Sequence, residues 1–164
     1  MRVLGIDPGL HIVGYGLVNV EQGSYCAEDF GIMKTSPKTP FIQRLKEIHE
    51  FMSGLVERIR PDIMAVEEVY VSQNAKTSLR LGHTRGVIIL AAIQRGIDVA
   101  EYAPREVKQA VLGQGAGSKE QIKWMMSQML KLDIDDLCED SADGLAVALC
   151  HGPVSYTHLR AHET

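Results

Sequence analysis

The run Ile63-Met64-Ala65-Val66 is wholly apolar, follows closely on Pro61, and ends on the acid Glu67. A short apolar run without alternation is the mark of an interior strand buried on both faces, which needs helices on both sides of a partly parallel sheet. The N-terminal run Arg2 to Asp7 has the same form. It is β-branched and apolar, ends on an acid, and breaks at Pro8-Gly9.

Around these two runs the chain alternates between strand and helix periods. Strand-like segments at 12–20 and 24–33 flank a hairpin turn signal at Gln22-Gly23, so the chain opens with three antiparallel strands. Apolar residues at 41, 42, 45, 48, 51, 52, 55, 56 and 59 follow the helical period, and Pro61 stops that helix. A helix over 74–95, a strand over 98–102 and helices over 104–111, 118–131 and 139–151 complete the order βββαβαβααα. The expected fold is α/β, a mixed five-stranded sheet flanked by helices.

No internal repeat or Pro/Ser-rich linker interrupts the chain, so residues 1–153 read as one domain. Gly152-Pro153 is a natural helix stop, and 154–164 (VSYTHLRAHET) lacks an amphipathic period. Those residues read as a tail, either foreign to the fold or a native disordered terminus. Three cysteines without a C-x-x-C pair suggest buried thiols rather than disulfides or a zinc ribbon. The absence of a signal-peptide pattern and of a ~20-residue apolar span points to a cytoplasmic protein without a membrane partner. A net charge of −4 runs against the basic excess usual in nucleic-acid binders. A cluster of acids in one site would leave the remaining surface near neutral, however, so the placement of Lys and Arg decides.

Ionised carboxylates at the ends of interior strands are costly unless paired, hydrogen-bonded or bound to a cation. If the strands at 3–7 and 63–67 are parallel neighbours, Asp7 and Glu67 meet at one sheet edge, where α/β sites commonly lie. Asp140 and Asp143, spaced i, i+3, share a helix face, while Ala142, Leu145, Ala146 and Leu149 can pack on the fold. Four converging carboxylates repel one another unless hard cations neutralise them, and oxygen-only ligation favours Mg²⁺ or Mn²⁺ over zinc. Two such ions roughly 3.5–4 Å apart can activate water and stabilise the leaving oxygen in phosphodiester hydrolysis. Each acid taken alone has a plainer reading: Asp140 and Asp143 favour a helix N-terminus, and Asp7 caps a turn before Pro8.

Six segments match a known family. They are G-I-D-P-G at 5–9, G-Y-G at 14–16, A-V-E-E-V-Y at 65–70, N-A-K-T-S-L-R-L-G-H-T-R-G at 74–86, Y-A-P-R-E-V-K at 102–108 and E-D-S-A-D-G-L-A-V-A at 139–148. In order and spacing the chain resembles the RuvC Holliday-junction resolvases, within the RNase H-like nuclease superfamily. The resemblance implies paired, symmetric, metal-dependent cuts in four-way DNA junctions during recombination and repair.

Carried over by motif, Asp7, Glu67, Asp140 and Asp143 match the family's metal-binding acids, with Asp7 bridging two Mg²⁺ ions. Lys119, after Gly113-Gln-Gly-Ala-Gly117, matches a lysine near the scissile phosphate, and Lys108 a basic residue of the DNA face; a solvated helix end is the plainer reading of either. Tyr70 falls where the family has an aromatic at the junction centre, although a core role is also open. On the helix over 74–95, Leu79, Gly82, Gly86, Ile89, Leu90 and Ile93 form an apolar and small stripe that packs either on its own sheet or, as the resemblance implies, against a second copy in a homodimer. Lys76, Arg80 and Arg85 are then candidates for a phosphate-facing rim. The resemblance alone brings in a branch-migration helicase complex as a further partner.

Ser141 and Gly144 stand where alanines are expected in the family, and the C-terminus lacks a basic ending. His83 and His151 could assist the site, though isolated histidines are more often structural. Two competing readings stay open: a resolvase-like nuclease of ribosomal RNA processing, and a junction-binding module without catalysis.

Overall fold

Gln22 and Gly23, with φ of 39° and 84°, fold the chain back on itself in a tight two-residue hairpin turn. This turn joins β2 (Ile12–Glu21) to β3 (Ser24–Lys34), and β2 pairs antiparallel with β1 (Arg2–Asp7). The computed structural model describes residues 1–69 and 73–162, and side chains through Gly152. Helix α1 (Phe41–Ile59) leads into β4 (Ile63–Glu67), α2 (Ala75–Ile93) into β5 (Asp98–Tyr102), and α3 (Pro104–Leu112), α4 (Lys119–Met129) and α5 (Glu139–His162) close the fold. A 3-10 turn at Ile134–Asp136, too short for a periodic signal, precedes α5.

The sheet order is β3-β2-β1-β4-β5, with β1, β4 and β5 parallel. This is the expected mixed five-stranded sheet. β4 is interior, as its apolar run predicts: Met64 and Val66 join one core with Leu4, Ile6 and residues of α1 and α2, while Ala65 joins the other with residues of α3, α4 and α5. Alternation along β1 and β4 therefore turns Asp7 and Glu67 toward the same face as Ala65, the face covered by α5.

Two expectations change. The signal at Gly152-Pro153 does not end the last helix, whose backbone continues to His162. Proline removes one amide donor and bends a helix without obliging it to stop. Of the three cysteines, Cys150 is buried but Cys26 and Cys138 are exposed, because they fall on the outer sheet strand and on the entry to α5. No helix among the described residues is long and apolar enough to cross a membrane.

Candidate active site

Parallel register pairs Val3 with Ile63 and ends with Ile6 beside Val66, so Asp7 and Glu67 follow one rung later on adjacent strands. The condition on which their meeting depended, that the two strands be neighbours, holds. Both acids line a cleft of about 170 Å³ together with Asp143, Lys108 and Lys119.

Helix α5 reaches this edge because glycines remove the side chains that would hold it off. A Cβ on Gly14 would run into the carbonyl of Asp140, one on Gly5 into that of Gly144, and one on Gly16 would lie 2.5 Å from Leu145 Cδ2. From the helix side, a Cβ on Gly144 would sit 2.7 Å from the Tyr15 backbone. Gly144, which stands where the family's alanine is expected, is the contact that lets the helix lie against β2. Ser141 has a role as well. Its hydroxyl accepts from the Cys138 amide (3.2 Å) and donates to the Cys138 carbonyl (3.1 Å), tying down the first turn on which Asp140 lies. Glycines two apart in a strand signal close backbone approach, so Gly14 and Gly16, matched only as a motif, were open to that reading.

The electrostatics are those of negative charge short of compensation. Burial, then the charges of Glu67 and Asp143, hold Asp7 well above the usual carboxylate range. Burial and Asp143 raise Glu67 to about 7, against the pull of Lys108 and Lys119. Asp143 is raised to about 6, chiefly by burial, although Lys119 and a hydrogen bond with Asp7 oppose the shift. A hydrogen bond between two carboxyl groups needs a proton on one of them. Asp140 lies outside the cleft lining, one helical turn away, and its charge raises both Asp7 and Asp143. Among the described residues no three Asp, Glu, His or Cys are arranged as they stand to hold a metal ion. The acids share a sheet edge, not a finished cage.

Lys119 begins α4, fixed by a reciprocal cap in which Ser118 Oγ accepts from the Gln121 amide (3.2 Å) and Gln121 Oε1 from the Ser118 amide (2.7 Å). Its Nζ lies 3.7 Å from Asp143 Oδ2, with the side chain 62% exposed. Burial lowers its pKa, but Asp143 and Asp7 outweigh that and leave it raised, so it stays protonated.

The α2 residues divide. Lys76 is exposed and Arg80 lies 4.9 Å over the Phe41 ring. Arg85 turns inward: its Nε donates to the Glu67 carbonyl (3.1 Å) and its Nη2 pairs with Glu101 (2.7 Å). Leu79 and Leu90 are 65% and 48% exposed, and Gly82 and Gly86 face open space, whereas Ile89 packs partly on the core of its own sheet. His83 packs edge-on to Phe41, and His151 Nδ1 lies 2.6 Å from Tyr102 Oη, so neither lines the cleft. Tyr70 lies outside the described residues.

A mixed sheet with acids ending its two central parallel strands, and a close-packed helix bringing two more, is an RNase H-like fold with a carboxylate edge. The chain belongs to the RuvC family: the family model described as crossover junction endodeoxyribonuclease RuvC matches residues 3–151. A curated relative of that description from Moorella thermoacetica is 46% identical over 163 residues, covering 99% of this chain and 98% of its own. Another, from Desulforamulus reducens, is 42% identical over 157 residues, 96% of each chain. The solved structure of Thermus thermophilus RuvC superposes with a TM-score of 0.86 at 33% identity, covering 96% of this chain and 97% of that one. The same protein in complex with a Holliday junction substrate gives 0.86 at 32% identity, covering 96% of each.

Proposed function

We propose that this chain resolves four-way DNA junctions by paired, symmetric hydrolysis of phosphodiesters, with Asp7, Glu67, Asp143 and Asp140 as its metal-binding acids. The observation that carries this reading is the meeting of Asp7, Glu67 and Asp143 around one cleft, with carboxyls raised by burial and mutual repulsion.

The donor set suits a hard divalent cation. It is all carboxylate and partly desolvated, with the acids' charges opposing one another; Mg²⁺, with Mn²⁺ as substitute and two ions per site, fits such ligands better than a thiolate- or imidazole-seeking metal. When bound there, the cation supplies Lewis acidity toward the phosphate and lowers the pKa of water.

The chain's own groups do the rest. Lys119, protonated and mostly exposed, meets the charge of the scissile phosphate, and Lys108, which also lines the cleft, contributes beside it. Ser118 is the one hydroxyl among the lining residues, and its oxygen is held by the Gln121 amide. In this reading water is the nucleophile, and no covalent protein intermediate forms. The α2 stripe of Leu79, Gly82, Gly86 and Leu90 supports a homodimer that sets two sites against opposed strands, with Ile89 at its margin. Lys76 and Arg80 would contact phosphates nearby, and Tyr70 the junction centre. The nuclease domain spans 1–153, with 154–164 a tail outside it, and the enzyme acts in the cytoplasm, where a branch-migration helicase complex can dock.

Substrate is tested by labelling each strand of a synthetic four-way junction and mapping nicks with and without Mg²⁺, beside linear duplex and single-stranded RNA. Nicks at matching points on two opposed junction strands, only with the cation, are expected. Cutting of the RNA alone, or binding without nicking, would overturn the reading.

A further inference from the structure

The β1–β4 ladder stops one rung short of the site acids, and the sequence shows why. In the β1–β2 pair the Met1 amine donates to the Val20 carbonyl and the Val20 amide to that of Met1, so odd residues of β1 bond toward β2 and even ones toward β4. With Val3 beside Ile63 and Gly5 beside Ala65, a parallel ladder continued in this register would deliver the Glu67 carbonyl to the amide of residue 8. Residue 8 is Pro8, which has no amide hydrogen.

The donor comes from α2 instead. Arg85 Nε gives its hydrogen to the Glu67 carbonyl at 3.1 Å, and Nη2 of the same guanidinium is held at 2.7 Å by Glu101 on β5, in register beside Val66. The side chain is only 17% exposed, too enclosed for a free phosphate contact. On the other side, the Glu68 amide donates to the Tyr102 carbonyl at 2.8 Å. Glu67 is thus pinned on both flanks at the point where its strand leaves the sheet.

We propose that Arg85 is a positioning residue: it replaces the ladder donor lost at Pro8 and fixes the backbone from which the Glu67 carboxylate faces Asp7 and Asp143. A planar guanidinium suits this role because its Nε hydrogen serves the carbonyl while its charge pairs with Glu101. The proposal rests on the reading of Glu67 as a site acid. It moves Arg85 from the phosphate rim expected from sequence to the support of the catalytic edge.

The test compares wild type, Arg85→Ala, Glu101→Gln and Glu67→Gln by junction affinity without divalent cation, single-turnover nicking rate at saturating junction, and Mg²⁺ concentration at half-maximal rate. A fourth reading, the rise in melting temperature on adding Mg²⁺, needs no activity. Arg85→Ala should keep wild-type junction affinity while losing roughly 10–100-fold in rate, as supporting groups around metal ligands do, with a higher Mg²⁺ requirement and a smaller thermal shift. Glu101→Gln should move the same quantities in the same direction by less, and it decides the matter if Arg85→Ala does not fold. Weakened junction affinity with an unchanged saturated rate would make Arg85 a phosphate contact and overturn the proposal. A reduced rate with unchanged Mg²⁺ requirement and thermal shift would overturn it as well. Glu67→Gln separates the two levels: if it nicks like wild type, the reading of Glu67 itself falls, and if it is inactive while both other variants match wild type, only the role of Arg85 falls.

Discussion

Gly144 of α5 lies against the backbone of Tyr15 in β2, with room for a hydrogen but not for a Cβ, which would sit 2.7 Å from the nearest atom. Backbone cannot yield as a flexible side chain does. Gly144→Val should therefore lift the first turns of α5 off the sheet, lowering stability by about 1–3 kcal/mol, a usual cost of overpacking. It should also separate Asp140 and Asp143 from Asp7. Denaturant melts and the nicking rate check this together, and a variant with wild-type stability and rate would show that the close approach is dispensable.

Ser141 secures the same turn by a gentler means. Removing a hydroxyl that serves a helix N-terminus costs about 1 kcal/mol, so Ser141→Ala should lower the melting temperature modestly and leave junction binding unchanged. A large loss of binding would assign the hydroxyl to DNA instead.

Cation and pH are linked through the buried carboxyls. Glu67 titrates near 4.5 ordinarily and about 7 here, so between those values the folded chain holds a proton that the unfolded chain has released. The stability tied to that proton is fully present below 4.5 and lost as the pH passes about 7. In EDTA the melting temperature should fall across that window, and Glu67→Gln should flatten the fall. Mg²⁺ should restore most of the loss by stabilising the ionised form. A cation-free melting temperature that does not respond to Glu67→Gln would contradict the raised carboxyl.

Lys119 opposes the burial that raises Asp143 to about 6. Lys119→Ala should cut the single-turnover rate by roughly 10²-fold, the scale of losing one transition-state charge partner. It should also shift the rising limb of the pH–rate profile to higher pH, because Asp143 then holds its proton longer. Stability should change little, since the Lys119 end of the pair is 62% exposed to solvent. An unchanged pH profile would separate Lys119 from the acids.

Leu79 stands 65% exposed at one end of the open glycine face of α2. Leu79→Glu would place a charge in a two-fold interface built on that face and should yield monomers by light scattering, with paired nicks replaced by single ones. A dimer of unchanged strength would place the interface elsewhere.

Much of this was legible in the sequence because it rests on local signals. The apolar run of β4 announced an interior strand, and strand ends on Asp7 and Glu67 announced a shared edge once parallel pairing is assumed. What stayed hidden depends on partners distant in the chain. Gly144 was only a departure from an expected alanine until Tyr15 lay beneath it, and Arg85 was one more candidate for a phosphate-facing rim until Pro8 left the Glu67 carbonyl without a donor. The proline was visible, but nothing local says which side chain answers it. The continuation of α5 past Pro153 was missed because a stop signal is a preference of a few kcal/mol, which its surroundings can override.

Asp7 adjoins both the strand-end neighbour Glu67 and the helix acid Asp143, and its carboxyl is held well above the usual range by burial and by those charges. The decisive measurement is junction binding and nicking by Asp7→Asn with Mg²⁺, side by side with wild type. Wild-type affinity with nicking abolished, and a cation-induced thermal shift much reduced, is the expected result; nicking by Asp7→Asn at the wild-type rate would contradict a carboxylate metal site at this edge.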